Sequence, residues 1–407
     1  MNDLSLALIR KGKGTGVVAG TTSHDLELAL AEKYGNEAPV SVITSYLTFS
    51  SASAFTLAAP QGKTWDGTLM FSLDGVTWVK WFGEEIASQT VNGQDQILLG
   101  GYGNRTFTGS GFSYNASIFE ISGSSVSCTG DIRTLLDFRK AELGEDPKML
   151  NSCFYNLFYK CTALATAPTL PALTLSAYCY QAMFYGCTGL ETAPALPATT
   201  LAEGCYSSMF YGCTGLTSAP ALPATTLKNY CYQLMFLGCT ALTSAPAIPA
   251  TTVANSCCQS MFQNCTALTS APAILPATTL ANWCYQAMFY GCAALQNAPA
   301  LPATTLADNC YYVMFSGCAS LTSIPALPAT TLAEECYGYM FQLCSSLKFA
   351  LTPSTGMSNA YRIPASGTGT TASGALTGMF FGTSGTFTGD PSINTTYYTN
   401  ATIVPAA

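Results

Sequence analysis

Residues 205–230 read CYSSMFYGCTGLTSAPALPATTLKNY, and residues 231–256 repeat the pattern as CYQLMFLGCTALTSAPAIPATTVANS. Cysteine, methionine, phenylalanine and leucine return at the same places, whereas the residues between them differ. A period of 26 residues is typical of repeat proteins, in which each unit is too small to bury its own apolar side and stacks on its neighbours. The sequence therefore predicts a stack of repeats in this part of the chain.

Two rows of cysteines mark how far the repeats extend. The first row advances by 26 residues, with one step of 27 where a residue is inserted near Ile274, and the second row follows it by eight residues. The first row is Cys153, Cys179, Cys205, Cys231, Cys257, Cys284, Cys310 and Cys336, and the second is Cys161, Cys187, Cys213, Cys239, Cys265, Cys292, Cys318 and Cys344. Residues 151–350 are therefore predicted to form one right-handed solenoid of about eight turns.

Each repeat combines two local patterns. The segment C-Y-x-x-M-F-x-G has apolar residues at i, i+4 and i+5, which predicts a short helix ended by glycine. The following L-T-S segment predicts a short extended piece. Prolines such as Pro220 and Pro223 end it, because they lack the N–H that a longer ladder would need.

The cysteine rows have three possible roles. A zinc site needs ligands that converge, as closely spaced C-x-x-C pairs do. Eight residues of helix span about 12 Å, which exceeds the roughly 7 Å over which a disulfide can bridge two Cα atoms. A bridge between stacked repeats is sterically possible, but nothing in the sequence pairs the repeats two by two. Buried free thiols acting as small apolar side chains fit best, and no metal or cofactor is predicted.

Composition and charge limit the partners. Charged residues make up 9% of the chain and the net charge is −7, whereas nucleic-acid binding requires clustered Lys and Arg. The apolar runs are shorter than the roughly 18 residues of a membrane span, so neither nucleic acid nor membrane insertion is predicted. At the N-terminus Arg10, Lys11 and Lys13 follow the apolar stretch instead of preceding it, which is not the order of a secretion signal.

The regions that flank the repeats differ from them in composition. Residues 45–130 contain short alternating stretches, at 47–49, 68–72, 77–81, 96–99 and 119–121, with a hairpin signal at Asp74-Gly75. They predict a small β-sandwich, followed at 131–150 by a capping helix and linker. Residues 1–44 are predicted to be an attachment arm with a helical segment at 25–34.

The C-terminal residues 351–407 contain a worn copy of the repeat. Residues 379–385 read MFFGTSG and match MFYGCTG, with Thr383 in place of the cysteine. This predicts a degenerate capping repeat, preceded by a Gly-, Ser- and Thr-rich loop at 352–373. The predicted fold class is thus mixed β/α: a small β-sandwich, a solenoid of about eight 26-residue turns and a degenerate capping repeat.

The core F-x-G-C-T-x-L-T-S, as in residues 210–218, resembles the BspA-like leucine-rich repeat of surface proteins from gut and oral bacteria and from their phages. The proline-rich half A-P-A-L-P-A-T-T-L resembles its gut-associated variant. The segment from Trp65 to Trp78 is similar to the β-domain that often precedes such repeats. The resemblance implies surface recognition and no defined reaction.

The positions that vary from repeat to repeat lie around the C-Y-x-x-M-F-x-G segment. Aromatic side chains there are candidates to stack on sugar rings or to anchor a protein partner; the alternative is that they partly cover the core. The candidate partner-binding residues are Tyr178, Tyr185, Tyr211, Tyr230, Trp283 and Tyr290. If they do not bind, Trp65, Trp78 and Trp81 of the β-domain are the next candidates.

An enzyme is hard to build from this composition. His24 is the only histidine, and Glu84-Glu85 and Glu334-Glu335 are the candidate paired carboxylates of a glycosidase. Adjacent residues usually diverge, so solvated surface charge is the simpler interpretation. The glycine-rich run from Lys11 to Gly16 lacks the spacing of a phosphate-binding loop.

The function expected from these observations is that of a non-catalytic phage virion protein, a tail or head fibre or decoration that binds the host surface through the solenoid. The expected partners are other virion proteins, through the N-terminal arm, and a host glycan or surface protein. The sequence is also compatible with a homo-oligomer. A bacterial cell-surface adhesin is the first alternative, with an extracellular location, and a polysaccharide-degrading enzyme is the second.

Overall fold

The structure is a computed structural model that describes residues 46–60, 63, 65–107 and 117–406. The predicted attachment arm at 1–44 and its helical segment lie outside these residues. Within them the fold is β-rich, with many short strands and a single helix, as the sequence predicts in outline. None of the described helices has the length and apolar character needed to cross a bilayer.

The elements are short because turns and prolines interrupt them. The helix is α1 (Thr134–Glu142). The strands are β1 (Leu47–Ser51), β2 (Thr56–Ala58), β3 (Thr68–Ser72), β4 (Val79–Lys80), β5 (Ile86–Ala87), β6 (Gln89–Val91), β7 (Gln94–Tyr102), β8 (Glu120–Ser122), β9 (Val126–Thr129), β10 (Leu164–Thr166), β11 (Ser323–Pro325), β12 (Lys348–Ala350), β13 (Asn359–Arg362), β14 (Ser384–Gly385), β15 (Thr396–Thr399) and β16 (Thr402–Val404).

Two sheets make up the N-terminal region. The larger has the order β10-β9-β1-β7-β3-β4 with β6 on β7, and the smaller has the order β5-β2-β8. Both contribute to one apolar core, as Phe49 of β1 and Leu57 of β2 illustrate. The predicted hairpin is present: β3 pairs antiparallel with β4, and the Asp74 carboxylate accepts the N–H groups of Val76 at 2.8 Å and Thr77 at 2.7 Å.

The backbone of the first repeat is hydrogen-bonded to extended residues that precede α1. The N–H groups of Phe119 and Val126 donate to the carbonyls of Leu157 and Ala163, and β10 pairs parallel with β9. The predicted helix exists, but it packs against β7, where Gly101 leaves room for the Leu135 carbonyl. An extended chain makes the better backbone cap because a helix has already used most of its N–H groups internally.

The predicted short helix in C-Y-x-x-M-F-x-G is wrong, because this segment is a series of turns. Alternate N–H groups donate to the next repeat, as from Tyr180 to the Cys205 carbonyl at 3.0 Å. The N–H groups between them donate three residues back along the chain, as from Met183 to Tyr180 at 3.2 Å. Every fourth residue has a positive φ, for example Ala182 at 51° and Gly186 at 69°, and a right-handed helix cannot continue through such residues.

The L-T-S segment is extended, as predicted. It forms β10, β11 and β12 in three repeats and isolated parallel bridges in others, such as Thr192 to Ser218 and Ser244 to Ser270. A further set of bridges joins the threonines that follow the prolines, such as Thr226 to Thr252. Corresponding residues of consecutive repeats are thus hydrogen-bonded at several places in each repeat.

The repeated apolar residues form continuous buried rows. The phenylalanine rings stack from repeat to repeat with centroids 5.4 to 5.8 Å apart. This phenylalanine row is Phe158, Phe184, Phe210, Phe236, Phe262, Phe289, Phe315 and Phe341. All sixteen row cysteines are buried beside it, which confirms the predicted burial. The same apolar core continues into the N-terminal sheets and the C-terminal region.

The worn C-terminal copy occupies the place of a further repeat. The N–H of Phe341 donates to the carbonyl of Met379, and the Met379 side chain is buried. The Thr383 hydroxyl donates to the Phe380 carbonyl at 2.8 Å. The loop predicted at 352–373 is partly wrong, because it contains β13. That strand buries Tyr361 against Phe380 and Phe349 and belongs to a sheet of order β13-β15-β12-β14.

Candidate recognition surface

The six predicted partner-binding residues fall into two outer columns. The pre-cysteine column is the residue before each first-row cysteine: Ser152, Tyr178, Gly204, Tyr230, Ser256, Trp283, Asn309 and Glu335. The post-phenylalanine column is the residue after each row phenylalanine: Tyr159, Tyr185, Tyr211, Leu237, Gln263, Tyr290, Ser316 and Gln342. Each column thus holds three of the six predicted residues.

Both columns face solvent to some degree. Tyr230, Trp283 and Tyr290 are 37%, 41% and 38% exposed. Tyr178, Tyr185 and Tyr211 are half-buried. The six side chains therefore belong to the surface of the repeats, although half of them also pack on their neighbours.

Three tyrosines of the post-phenylalanine column form a ladder. The ring of Tyr185 lies 4.8 Å from that of Tyr159 and 4.4 Å from that of Tyr211, with the planes nearly parallel. Burial raises the pKa of Tyr185 to about 12, with a further contribution from Tyr211. Because both faces of Tyr185 are covered by other rings, this ladder offers ring edges and hydroxyl groups to a partner.

The pre-cysteine column is built differently, because large and small residues alternate along it. Tyr178, Tyr230 and Trp283 are separated by Gly204 and Ser256. The ring of Tyr178 reaches over Gly204, where a Cβ would lie 2.3 Å from two ring carbons. Gly204 and Ser256 are correspondingly buried, Ser256 being only 3% exposed. The rings of this column are therefore spaced apart and do not stack on one another.

Every residue of the pre-cysteine column has a left-handed backbone, with φ between 50° at Glu335 and 59° at Tyr230. Residues with a Cβ rarely adopt this conformation outside special turns. The alternating inter-repeat hydrogen bonds hold it in place, as from the Tyr178 N–H to the Glu203 carbonyl at 2.8 Å. The positions of these side chains are thus fixed by the stacked backbone.

A polar column runs beside the aromatic one, two residues before each first-row cysteine. Its members from the second repeat onward are Ala177, Glu203, Asn229, Asn255, Asn282, Asp308 and Glu334. The Tyr178 hydroxyl donates to the Glu203 carboxylate, and this hydrogen bond raises the pKa of Tyr178 to about 12. Amide and carboxylate oxygens beside spaced rings can accept hydrogen bonds from a hydroxyl-rich ligand.

A glutamine row was not singled out as a site by the sequence analysis. The side-chain amide of Gln233 donates to the Gln259 carbonyl oxygen at 2.6 Å, and Gln259 donates likewise to Gln286. The available signal was the return of glutamine at one position of an otherwise variable segment. This row ties neighbouring repeats together on the outside, as the phenylalanine row does on the inside.

In four repeats a threonine follows the leucine that comes three residues after the second-row cysteine, at Thr217, Thr243, Thr269 and Thr322, and these threonines are used within the stack. The hydroxyl of Thr269 donates to the carbonyl of Thr243 at 3.1 Å, and that of Thr322 donates to Gln296 at 3.1 Å. These hydroxyls repeat the same contact in several repeats. They therefore offer a partner little that distinguishes one repeat from another.

The buried thiols are held in their neutral form. The Sγ atoms of Cys187 and Cys213 donate to the carbonyls of Phe158 at 2.9 Å and Phe184 at 3.0 Å. Burial raises the pKa of Cys213 to about 12 and that of Cys187 well above its usual range. Since the thiolate is the nucleophile and metal ligand, these cysteines are chemically quiet at neutral pH.

The other candidates for catalysis or phosphate binding are the paired glutamates, His24 and the glycine-rich run near the N-terminus. Glu84 and Glu85 are exposed, and Glu84 accepts the backbone N–H of Phe82 at 3.0 Å. His24 and the run from Lys11 to Gly16 fall outside the described part of the chain. Within that part, no three metal-ligating side chains lie together.

The β-domain tryptophans belong to the apolar core or pack against it. Trp78 and Trp81 are buried, and the ring of Trp65 lies 5.6 Å from that of Trp81. Trp78 and Trp81 therefore do not serve as the alternative binding residues predicted from the sequence.

Compared with known protein families, curated proteins and solved structures, the chain matches none of them. The two outer columns and the repeated residues are therefore the features that bear on its function.

Proposed function

We propose that residues 151–350 are a right-handed solenoid of the leucine-rich-repeat type, and that the protein is a non-catalytic structural and recognition protein of a phage virion. The observation that carries the proposal is the division of each repeat into uniform buried rows and variable outer columns. Uniform rows stabilise a long stack. Variable outer positions let neighbouring repeats present different side chains to a partner.

Inter-repeat hydrogen bonds support the solenoid. They connect residues 25 or 26 positions apart along the repeats, as from Phe210 to the Met235 carbonyl at 2.9 Å. Residues 117–131 continue this pairing at the N-terminal end, and residues 374–381 continue it at the C-terminal end. Both ends of the stack are covered in this way, as repeat proteins require.

The outer columns support a role in recognition. Three of their aromatic side chains are more than a third exposed, and aromatic residues commonly dominate binding energy at interfaces. The resemblance to BspA-like repeats supports host-surface binding as the purpose. The cysteines of the rows are free thiols, which fits assembly in a reducing bacterial cytoplasm. Under this proposal the protein reaches the cell exterior as part of a virion, and residues 1–44 attach it there.

The test is the composition of purified particles from a lysate that contains the protein. We expect the full chain to sediment with the particle and to be detected there by mass spectrometry. A chain that begins at Val42 is the matched variant: it is expected to stay folded, with unchanged thermal unfolding, and to be missing from the particle. Recovery of the full chain in the cell envelope without particles would favour the bacterial adhesin instead.

A second measurement tests recognition directly. The purified full chain, labelled with a fluorophore, is expected to bind the surface of the cells that the phage infects and not unrelated cells. Absence of binding to those cells would contradict the recognition role.

A further inference from the structure

The alternation of large and small residues in the pre-cysteine column has a consequence for the shape of its ligand. Neighbouring strands lie about 4.8 Å apart in the hydrogen-bonding direction. Aromatic residues in alternate repeats therefore lie about 10 Å apart along the stack. Tyr178, Tyr230 and Trp283 thus form a single file of three rings, which spans four steps of the repeat.

The two outer columns differ in how the faces of their aromatic rings are covered. In the post-phenylalanine column the rings of Tyr159, Tyr185 and Tyr211 occupy each other's faces. In the pre-cysteine column the ring of Tyr178 rests with one side on Gly204, and the small residues Gly204 and Ser256 place no second ring against Tyr178 or Tyr230. Only an uncovered face can stack on a ligand ring.

The charges around the pre-cysteine column disfavour an anionic ligand. Glu203, Asp308, Glu334 and Glu335 lie in or beside it. Among the three residues that precede each first-row cysteine, Lys228 is the only basic one. Asn229, Asn255 and Asn282 continue the same flank with uncharged amides. Hydroxyl groups are the complementary chemistry, because carboxylates and amide oxygens accept hydrogen bonds from them.

We propose that the pre-cysteine column binds an extended, uncharged polysaccharide that runs along the stack, with alternate sugars lying on Tyr178, Tyr230 and Trp283. Successive pairs of sugars in an extended chain advance by a distance comparable to two repeat steps. This inference rests on the proposed recognition function and names its ligand class. A protein partner fits less well, because stable protein interfaces need about 800 Å² on each side, whereas this column is one residue wide.

The test uses the purified full chain and calorimetric titration with β-1,4-linked glucose, N-acetylglucosamine and mannose oligosaccharides, from disaccharides to hexasaccharides. We expect at least one of these series to bind, with affinity that rises with length until all three rings are engaged. Polygalacturonate, a polyanion, is expected to bind more weakly than the neutral chains. Failure of every neutral hexasaccharide to bind overturns the inference.

Matched variants locate the site. Trp283→Ser is expected to weaken binding by about tenfold, the effect of losing one stacked ring. Ser256→Tyr places a ring between Tyr230 and Trp283 and is expected to abolish binding by covering the free faces. Ser256→Gly keeps the gap and the left-handed backbone, and is the control that should bind like the natural chain. Thermal unfolding checks that each variant is folded.

A second control separates the two columns. Tyr211→Ser alters the ladder and is expected to weaken oligosaccharide binding much less than Trp283→Ser does. Equal losses from the two variants would show that the assignment to the pre-cysteine column is wrong. If cells bind the protein, but the oligosaccharides do not compete and protease treatment of the cells removes binding, the ligand is a protein. That result overturns this inference and leaves the recognition function in place.

Discussion

Phe210 and Tyr211 are adjacent in one turn of the chain, yet they belong to two regions with different rules. Phe210 lies in a row where the same residue stacks in all eight repeats, and it is fully buried. Tyr211 is half-buried in a column where tyrosine gives way to leucine, glutamine and serine. Burial therefore fixes the residue type inside the stack. On the outside the backbone fixes only the position, and the side chain can vary.

The largest expected effect comes from pH, because it acts on every buried row at once. Burial raises the pKa of Cys205, Cys213, Cys265 and Cys344 from 9.0 to about 12. In the unfolded chain these thiols lose their protons near pH 9, whereas the folded chain keeps them. Stability is therefore complete below about pH 9 and is lost as the pH rises toward 12.

Within this window each such thiol lowers the equilibrium constant for folding about tenfold per pH unit, so four of them together remove several kcal/mol of stability per unit. This is comparable to the whole stability of many domains. We expect cooperative alkaline unfolding between pH 9 and pH 12, measured by circular dichroism with reductant present. A protein that keeps its native signal at pH 12 would contradict the burial of these rows.

The next effect is the removal of one ring from the phenylalanine row. Phe210→Ala is expected to lower the free energy of unfolding by about 3 to 5 kcal/mol, because it leaves a cavity between two stacked rings. Denaturant titration measures it. Phe210→Leu, which keeps most of the volume, should cost less; equal losses from the two variants would argue against a tightly packed row.

A smaller effect is expected at Gly204, where the outer column meets the backbone. Gly204→Ala should destabilise the protein by about 1 to 2 kcal/mol, because an L-residue is strained at its φ of 56°. The added Cβ would also displace the ring of Tyr178. A double-mutant cycle with Tyr178→Ser isolates the second contribution: the cost of Gly204→Ala should fall when the ring is absent. Additive losses would show that the ring does not rest there.

The smallest effect is expected at Tyr211, the outer neighbour of Phe210. Tyr211→Ala should cost about 1 kcal/mol or less, since a partly exposed ring loses mainly its contact with Tyr185. The same denaturant titration compares it with Phe210→Ala. If both variants lose the same free energy, the division into inner and outer regions is incorrect.

Several features could be predicted because they depend on residue type and spacing alone. The period of 26 residues placed the cysteines in rows, and their apolar character predicted that they are buried. Asp74-Gly75 predicted the hairpin between β3 and β4, since its turn chemistry is local. The match of residues 379–385 to the repeat located the C-terminal copy.

Other features depend on contacts between residues far apart in the chain. The apolar spacing of C-Y-x-x-M-F-x-G fits a helix and a series of four-residue turns equally well. Hydrogen bonds from alternate N–H groups to the next repeat select the turns and hold Tyr178 and Tyr230 at positive φ. Hydrogen bonds between residues 25 positions apart leave no pattern in the local sequence.

The candidate surface shows the same division. The sequence alone determined which positions vary and which of them are aromatic. The folded chain alone shows that Tyr159, Tyr185 and Tyr211 cover each other's faces, while the ring of Tyr178 lies over Gly204. The physical reason is that ring contacts across the stack are set by the distance and orientation of neighbouring repeats, and the backbone hydrogen bonds between repeats establish both.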